Sequence, residues 1–377
     1  MDMSSAPYPE KPVVPFIKAT QDRVVLEIQR GCIRGCRFCQ AGMLYRPTRE
    51  KDVEVLKDYA YKMLKNTGHE EISLSSLSSS DYSHLKELVT FLIDEFKSKG
   101  INISLPSLRI DAFSLDVMGQ VQDIRKSSLT FAPEAGSQRL RDAINKNVTE
   151  EDLLNSCRTA FAGGWSGVKL YFMLGLPTET DEDVLGIADL ANKVYHVWRN
   201  NTPNRSRGVR ITVSTSCFVP KSHTPFQWEA QNTREEYLRK VTLLRENLRN
   251  KSITYNWHDP ETSFLEAALS RGDRRVADVI EQAWRHGAKF DSWSEYFSLQ
   301  TWLDAFAACG LSPAFYANRI RDKEEILPWQ TISDGVKESY LWKERETAYA
   351  GQITPDCRVK CSGCGANRLC EGGICHV

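Results

Sequence analysis

Two stretches of this chain repeat one cysteine rhythm. CIRGCRFC at 32–39 and CRVKCSGC at 357–364 both read C-x3-C-x2-C. Eight of the 11 cysteines fall in two tight clusters, three near the start and five near the end. Clustering of this kind favours metal ligation over disulfide bonding. The scattered ones, Cys157, Cys217 and Cys309, sit in apolar surroundings and read as buried small hydrophobes. In the first triad, three soft thiolates within one short stretch suit an iron–sulfur cubane, which would keep one iron open for another ligand. A zinc knuckle with a distant fourth ligand and cysteines buried by chance are the competing readings. Phe38, the aromatic residue before the last cysteine, favours the cluster. The tail TPDCRVKCSGCGANRLCEGGICHV instead offers Cys357, Cys361, Cys364, Cys370 and Cys375, with His376 close by. With that many ligands its site can be fully coordinated, and so structural or electron-relaying. A zinc site and an auxiliary [4Fe-4S] cluster fit it equally well, and a redox-sensitive tail is the third reading.

What must position these cysteines is an alternation of strands and helices. DRVVLEIQRG (22–31) is alternating and β-branched, a strand that ends at Gly31 directly before the first triad. Further strand signals lie at 70–78, 101–109, 127–134, 167–177 and 209–220, the fourth of these a continuous apolar run. Helical periodicity runs over 50–66, 83–100, 111–122, 137–145, 181–198 and 233–250. Another helix starts with Thr149 and Asp152 at capping-box spacing. Six strands alternating with helices imply right-handed crossovers and a parallel sheet, in which loops at the carboxyl ends of the strands build the ligand site. The expected organisation is a lead segment over 1–21, a core over 22–250, a helical extension over 251–350 and a cysteine-rich tail over 351–377.

Lysine plus arginine and aspartate plus glutamate balance at 49 each, which argues against a strongly electrostatic partner. The N-terminus lacks the apolar stretch of a secretory signal, and no run is long enough to span a bilayer. A cytoplasmic protein with no membrane partner is expected.

A strand, then C-x3-C-x-aromatic-C, then a six-fold βα alternation resembles the radical S-adenosylmethionine (SAM) enzymes. The resemblance implies an α/β fold, a partial (β/α)6 TIM-like barrel, with Cys32, Cys36 and Cys39 holding a [4Fe-4S] cluster whose free iron is chelated by SAM. It also implies reductive cleavage of SAM to a 5′-deoxyadenosyl radical, fed by an electron donor of flavodoxin or ferredoxin type. Phe38 joins the cofactor-binding set on this resemblance. LTFAPEAGSQRL (129–140) is similar to the segment beside the ribose and amino acid of SAM, which points to Glu134 and Ser137. KLYFMLGLPTETDED (169–183) is similar to the strand-five segment with its Gly-Leu-Pro turn, which points to Gly175 and Pro177. SSLSSSD (75–81) stands where many members bind the SAM amino group with glycines, and here Ser78, Ser79 and Ser80 replace them. FVPKSHTPFQW (218–228) resembles the strand-six segment of methyltransferase-like and methylthiotransferase-like members, where it would border the substrate cavity.

Stretches from YPEKPVVPF through CQAGMLYRPTRE, LPSLRIDAFS and WHDPETSFLEA to GDRRVADVIEQAW resemble an uncharacterised bacterial group of radical SAM proteins. Its members usually carry a cobalamin-binding-like domain before the core. That domain is expected to be absent here, since the first strand begins at residue 22 and no Asp-x-His-x-x-Gly occurs. A separate cobalamin-binding subunit would have to supply the cofactor wherever cobalamin is used.

Methyl or methylthio transfer to RNA or protein leads on this analogy. The alternatives are a non-catalytic iron–sulfur or zinc module associated with RNA or cofactor assembly, and one half of a split cobalamin-dependent enzyme. Arg46, Arg49 and Arg109 follow strand ends and could face SAM or substrate, although arginines are usually solvated. His258 with Asp259, and His223, could handle protons, against the commoner reading of packed histidines. The arginine-rich loop over 199–210 could touch RNA, and a solvated loop explains it as well.

Overall fold

The computed structural model of the chain describes residues 2–17, 19–104, 129–203 and 205–369. The sequence alternation becomes two arcs of parallel sheet. In the first, β1 (Val24–Glu27) pairs with β4 (Glu71–Ser75), and β4 pairs with β5 (Asn102–Ser104). In the second, β6 (Leu129–Glu134), β7 (Gly167–Leu174), β8 (Arg210–Cys217) and β9 (Ile253–Trp257) lie side by side, all parallel. Among the described residues no ladder joins the two arcs into a closed barrel. The expected helix over 111–122 and Arg109 lie outside the described residues, as do parts of the strands expected over 101–109 and 127–134.

Helices cross between the strands and cover one face. They are α1 (Ala41–Leu44), α2 (Val53–Thr67), α3 (Leu85–Phe96), α4 (Gln138–Ala143), α5 (Glu150–Ala162), α6 (Asp181–Asn201) and α7 (Arg234–Asn247). Their boundaries follow local chemistry. Asp52 accepts from the Glu54 and Val55 amides to start α2, and Gly68, at a φ of 71°, ends it. Thr149 and Asp152 form the reciprocal capping box that their spacing predicts.

The strand over 167–174 is not buried on both faces, as a continuous apolar run would be. Val168, Leu170, Phe172 and Leu174 pack under the helices, while Lys169 and Tyr171 point to the open face. The register extends that open face across the sheet: Lys169 pairs with Thr212, which pairs with Thr254, and Tyr171 with Ser214, which pairs with Asn256. The sheet also runs beyond residue 250, because Ile253–Trp257 adds a parallel strand to β8. Its alternating β-branched and aromatic residues are a strand signal. The tryptophan-rich helical texture that follows concealed it.

Beyond β9 come α8 (Pro260–Ser270), α9 (Val276–Arg285), α10 (Leu299–Ala308), α11 (Pro313–Ala317) and α12 (Glu338–Tyr349), the helical extension expected from the sequence. Leu265, Val279, Trp302 and Phe306 give it a core of its own. A second cluster binds it to the cysteine loop, where Met43 packs with Trp228, Trp329, Tyr340 and Leu341.

Candidate functional site

The first triad hangs from a loop whose ends are tied together. Directly after β1, the short β2 (Gln29–Arg30) pairs antiparallel with β3 (Arg49–Glu50), which closes the loop over 31–48. Gly31 sits inside the closure at a φ of 92°, and a Cβ there would lie 2.5 Å from the Tyr45 carbonyl oxygen. Only glycine fits that approach.

Cys32, Cys36 and Cys39 are half-buried on this loop. Burial and then the neighbouring Cys36 push the Cys32 thiol up to about 12, and the same two causes raise that of Cys39. Cys36 therefore lies close enough to Cys32 and Cys39 to oppose their ionisation, and a bound cation would reverse that balance. The Gly42 amide donates to Cys39 Sγ at 3.3 Å, a bond that favours thiolate. Among the described residues no group of three Cys, His, Asp or Glu side chains could hold a single metal ion. A cubane spreads its thiolates over separate irons, so three soft thiols grouped on a tied loop fit it without meeting at one point.

Two arginines inside the motif bolt the loop in place, and neither stood out in the sequence. The Arg37 side chain is fully buried: Nε donates to Glu344 at 3.1 Å, and Nη1 donates to the carbonyls of Asp142, Ala143 and Gln352. Its Nη2 reaches Thr354 Oγ1 at 3.2 Å. One guanidinium thus satisfies carbonyls at the end of α4 and grips both α12 and the tail. Arg34 pairs with Asp81, the last residue of the serine-rich segment, and with Asp356 of the tail at 3.3 Å. Asn145, buried at a φ of 54°, donates to the Gly35 carbonyl and accepts from the Thr354 amide. The sequence signal was present in CIRGCRFC, two arginines in the variable places of a cysteine motif.

The other sequence candidates divide. Phe38 packs against the cluster of Leu140, Leu176, Phe218 and Phe226, at the carboxyl ends of β7 and β8. Glu134 ends β6 at a φ of 70°, a left-handed conformation that strains a non-glycine residue, and accepts from Lys146 at 3.0 Å. Both charges bear on Cys39, which places the pair beside the triad. Ser137 is engaged in the fold: it caps α4 by accepting from the Leu140 amide at 3.1 Å and donates to Asp183. Gly136 is required because a Cβ would lie 2.4 Å from the Asp183 carbonyl oxygen at the start of α6.

Gly175, at a φ of 89°, bonds through its amide to buried Glu179, and a Cβ there would meet Asn232 at 2.7 Å. Pro177 lies buried in the same turn, stitched by Glu179 to Lys240 at 2.7 Å. Ser78 and Ser79 are buried, with Ser78 Oγ donating to Asp81 at 2.6 Å and Ser79 Oγ 3.0 Å from that of Ser76. Ser80 is half-buried in the same turn. Arg46 turns away from the sheet, toward Tyr340, and Arg49 bonds the carbonyls of Pro47 and Tyr45. His223 lies 3.8 Å from Asp334 across the extension. Cys370, Cys375 and His376 lie outside the described residues.

A cavity of about 340 Å³ opens at the carboxyl ends of β7 and β8. Phe38 of the cysteine loop forms one wall, and Met173, Ser216, Cys217, Lys221 and His258 line the rest. Ser263 donates its one hydroxyl proton to the Asp259 carbonyl at 3.0 Å, so its oxygen accepts from His258 Nδ1–H at 2.8 Å. That arrangement leaves Nε2 of His258 as a proton acceptor. Lys221 and Glu266 pair at the rim. The triad loop, the cavity and the polar face of the sheet share one end of the strands.

Residues 26–191 match the radical SAM superfamily. That match covers under half of the chain. An uncharacterized protein of Methanocaldococcus jannaschii is 34% identical over 257 residues, 68% of this chain and 54% of the relative. A putative methylthiotransferase of the same organism is 28% identical over 171 residues, 43% of this chain and 37% of its own length. A threonylcarbamoyladenosine tRNA methylthiotransferase of Aquifex aeolicus is 26% identical over 167 residues, 43% and 40% of the two chains. The chain spans about half the length, or less, of these curated relatives.

Radical SAM proteins use a [4Fe-4S] cluster and SAM. The matched span holds the first triad, Glu134, Ser137 and the Gly-Leu-Pro turn, and it ends within α6. The second triad and the helical extension lie outside it. No described helix is long and apolar enough to cross a membrane.

Proposed function

We propose that the chain is a radical SAM enzyme in which Cys32, Cys36 and Cys39 hold the [4Fe-4S] cluster, and that it transfers a methyl or methylthio group to RNA or protein. The observation that carries the reading is the tied loop at the end of β1. Three half-buried thiols stand there within the matched span, on a loop whose Phe38 walls a cavity at the carboxyl ends of the strands. When bound, the cluster supplies the electron that cleaves SAM reductively, drawn from a donor of flavodoxin or ferredoxin type.

The residues of this chain do the rest. Phe38 walls the cavity and keeps water from its apolar end. Glu134, held in a left-handed conformation and bonded to Lys146, places a carboxylate and an ammonium beside Cys39 where SAM would bind. His258, oriented by Ser263, offers Nε2 to a substrate proton. The transfer reading draws on the likeness to methylthiotransferases, one of which bears a tRNA name. An exposed polar sheet face supports it, with Lys169, Thr212 and Thr254 in one row and Tyr171, Ser214 and Asn256 in the next.

Anaerobic reconstitution with iron and sulfide should yield a protein that cleaves SAM to 5′-deoxyadenosine under reducing conditions. Cys32→Ala, Cys36→Ala and Cys39→Ala should each abolish that cleavage. Unchanged cleavage in all three would sink the assignment. A folded, cluster-loaded protein that never cleaves SAM would instead favour a non-catalytic module.

A further inference from the structure

The tail cysteines are docked on the back of the triad loop. The Cys357 amide donates to the Ile33 carbonyl at 3.2 Å, next to Cys32, and the Lys337 amide donates to the Cys364 carbonyl at 2.8 Å. Between these anchors the segment turns through Gly363 and Gly365, at φ of 75° and 101°. A Cβ on Gly365 would lie 2.9 Å from Lys337 Cγ and 3.0 Å from the Gly335 carbonyl oxygen, so the turn is packed tightly. Asp356 accepts from the Arg358 amide at 2.9 Å and the Val359 amide at 3.3 Å, which fixes the entry to the triad. Cys357 and Cys364 are half-buried and Cys361 is exposed.

Under this turn lies a buried cation. Arg46 is 6% exposed, its Nε donates to the Gly42 carbonyl at 3.0 Å, and its Nη1 meets the Tyr340 hydroxyl at 3.3 Å. The guanidinium also lies over the Tyr340 ring, 5.6 Å from its centroid. Among the described residues Arg46 forms no ion pair, although the equally buried Arg37 has Glu344. Cys364 packs against the same cluster that holds Tyr340, which brings the tail thiol to the arginine's side of the loop. A buried charge without a counter-ion is expensive, and neutral thiols do not supply one. Thiolates on an iron–sulfur cluster do, because their charges leave the centre anionic.

We propose that Cys357, Cys361 and Cys364 hold a second thiolate-ligated metal centre, and that Arg46 is its buried counter-cation. The centre lies outside the matched span and docks on the loop of the first triad. The three thiols do not meet at one point, so the centre they suit is an iron–sulfur cluster, whose thiolates bind separate irons.

The test uses the full chain, reconstituted anaerobically with ferrous iron and sulfide, and separately loaded with Zn(II) alone. In a Cys32→Ala/Cys36→Ala/Cys39→Ala background, where the first triad can hold nothing, bound metal should remain. It should be lost when Cys361→Ala is added, a change at an exposed side chain that leaves the fold intact by circular dichroism. Retention of iron with sulfide supports the centre, and retention of zinc without iron would overturn it. In the same background Arg46→Gln should weaken retention against a chelator by roughly tenfold or more, with Arg46→Lys nearer the parent. A folded background protein that binds no iron would overturn the proposal, as would iron content indifferent to Cys361→Ala. Retention by Arg46→Gln equal to the parent would overturn the role given to Arg46.

Discussion

Cys32, Cys36 and Cys39 hang from a loop that leaves one parallel strand and is tied shut by β2 and β3. Cys357, Cys361 and Cys364 follow a helix and lean on that loop from behind. The loop of the first triad supplies Phe38 to the wall of a cavity. The second packs Cys364 against the cluster of Tyr340 and leaves Cys361 exposed. Equal spacing therefore supplies equal ligands and unequal surroundings. A triad with a cavity beside it can bring a metal to a substrate, whereas one pressed onto a neighbouring loop can only hold the metal or pass electrons. The dependence runs both ways, because Arg34, Arg37 and Asn145 of the core all end on the tail segment over 352–356.

The largest expected effect separates the two directly. Replacing all three cysteines of the first triad by alanine should abolish SAM cleavage. Replacing all three of the second should leave cleavage measurable in protein that still holds the first cluster. Measuring 5′-deoxyadenosine and iron in both variants checks this. Complete loss in both, with iron still present in the second, would show that the tail centre takes part in the chemistry.

Next comes Arg37, the bolt between the regions. Arg37→Ala leaves Glu344 buried without its cation and frees three carbonyls, so stability should fall by about 3–5 kcal/mol. Chemical denaturation reads the loss, and proteolysis should open the chain near residue 352, where the guanidinium holds the Gln352 carbonyl. Arg37→Lys should recover little, since one ammonium cannot span partners that a planar fork reaches together.

Asn145→Ala should act in the same direction with about 1–3 kcal/mol, because the Gly35 carbonyl and the Thr354 amide lose a shared buried partner. Asn145→Gly keeps the left-handed backbone and removes the same bonds. A milder effect for glycine would measure how much of the role is conformational.

Much of this was legible in the sequence because periodicity and turn chemistry are local. The strand into Gly31, the capping box at Thr149 and the helical extension all follow from neighbours within a few residues. Three features were not legible, for physical reasons. A strand open on one face can still read as an apolar run, since Tyr171 and Met173 are hydrophobic in composition and only the packing shows which side they take. The strand Ile253–Trp257 was masked by the aromatic helices after it. At the site, the cysteines announced themselves by spacing, but Arg34 and Arg37 did not, and Arg46, singled out for following a strand end, turns to Tyr340. An arginine's role depends on partners some 300 residues away in sequence, such as Asp356 and Glu344, and no local pattern records such a distance. Ser137 and Gly175 show the converse, since a helix cap and a close approach to the Asn232 side chain account for residues that the family likeness assigns to a cofactor.

The smallest expected effect tests whether charge or shape holds the tail. Asp356→Asn keeps an amide oxygen able to accept from the Arg358 and Val359 amides, so the turn before the second triad should survive. What it removes is the carboxylate oxygen that takes Arg34 at 3.3 Å, on side chains that are 15% and 17% exposed. Arg34 keeps its closer partner Asp81 and is not orphaned. A partly exposed pair with a second anion at hand is worth about 0–1 kcal/mol, and salt weakens it further. Hydrogen exchange over 352–364 should therefore quicken slightly in Asp356→Asn, and high salt should speed the wild type toward the same rate. If that one charge loosened the tail as much as Arg37→Ala does, the two regions would be joined by electrostatics at the surface. The buried guanidinium would then be a passenger, and the second triad could detach without disturbing the first.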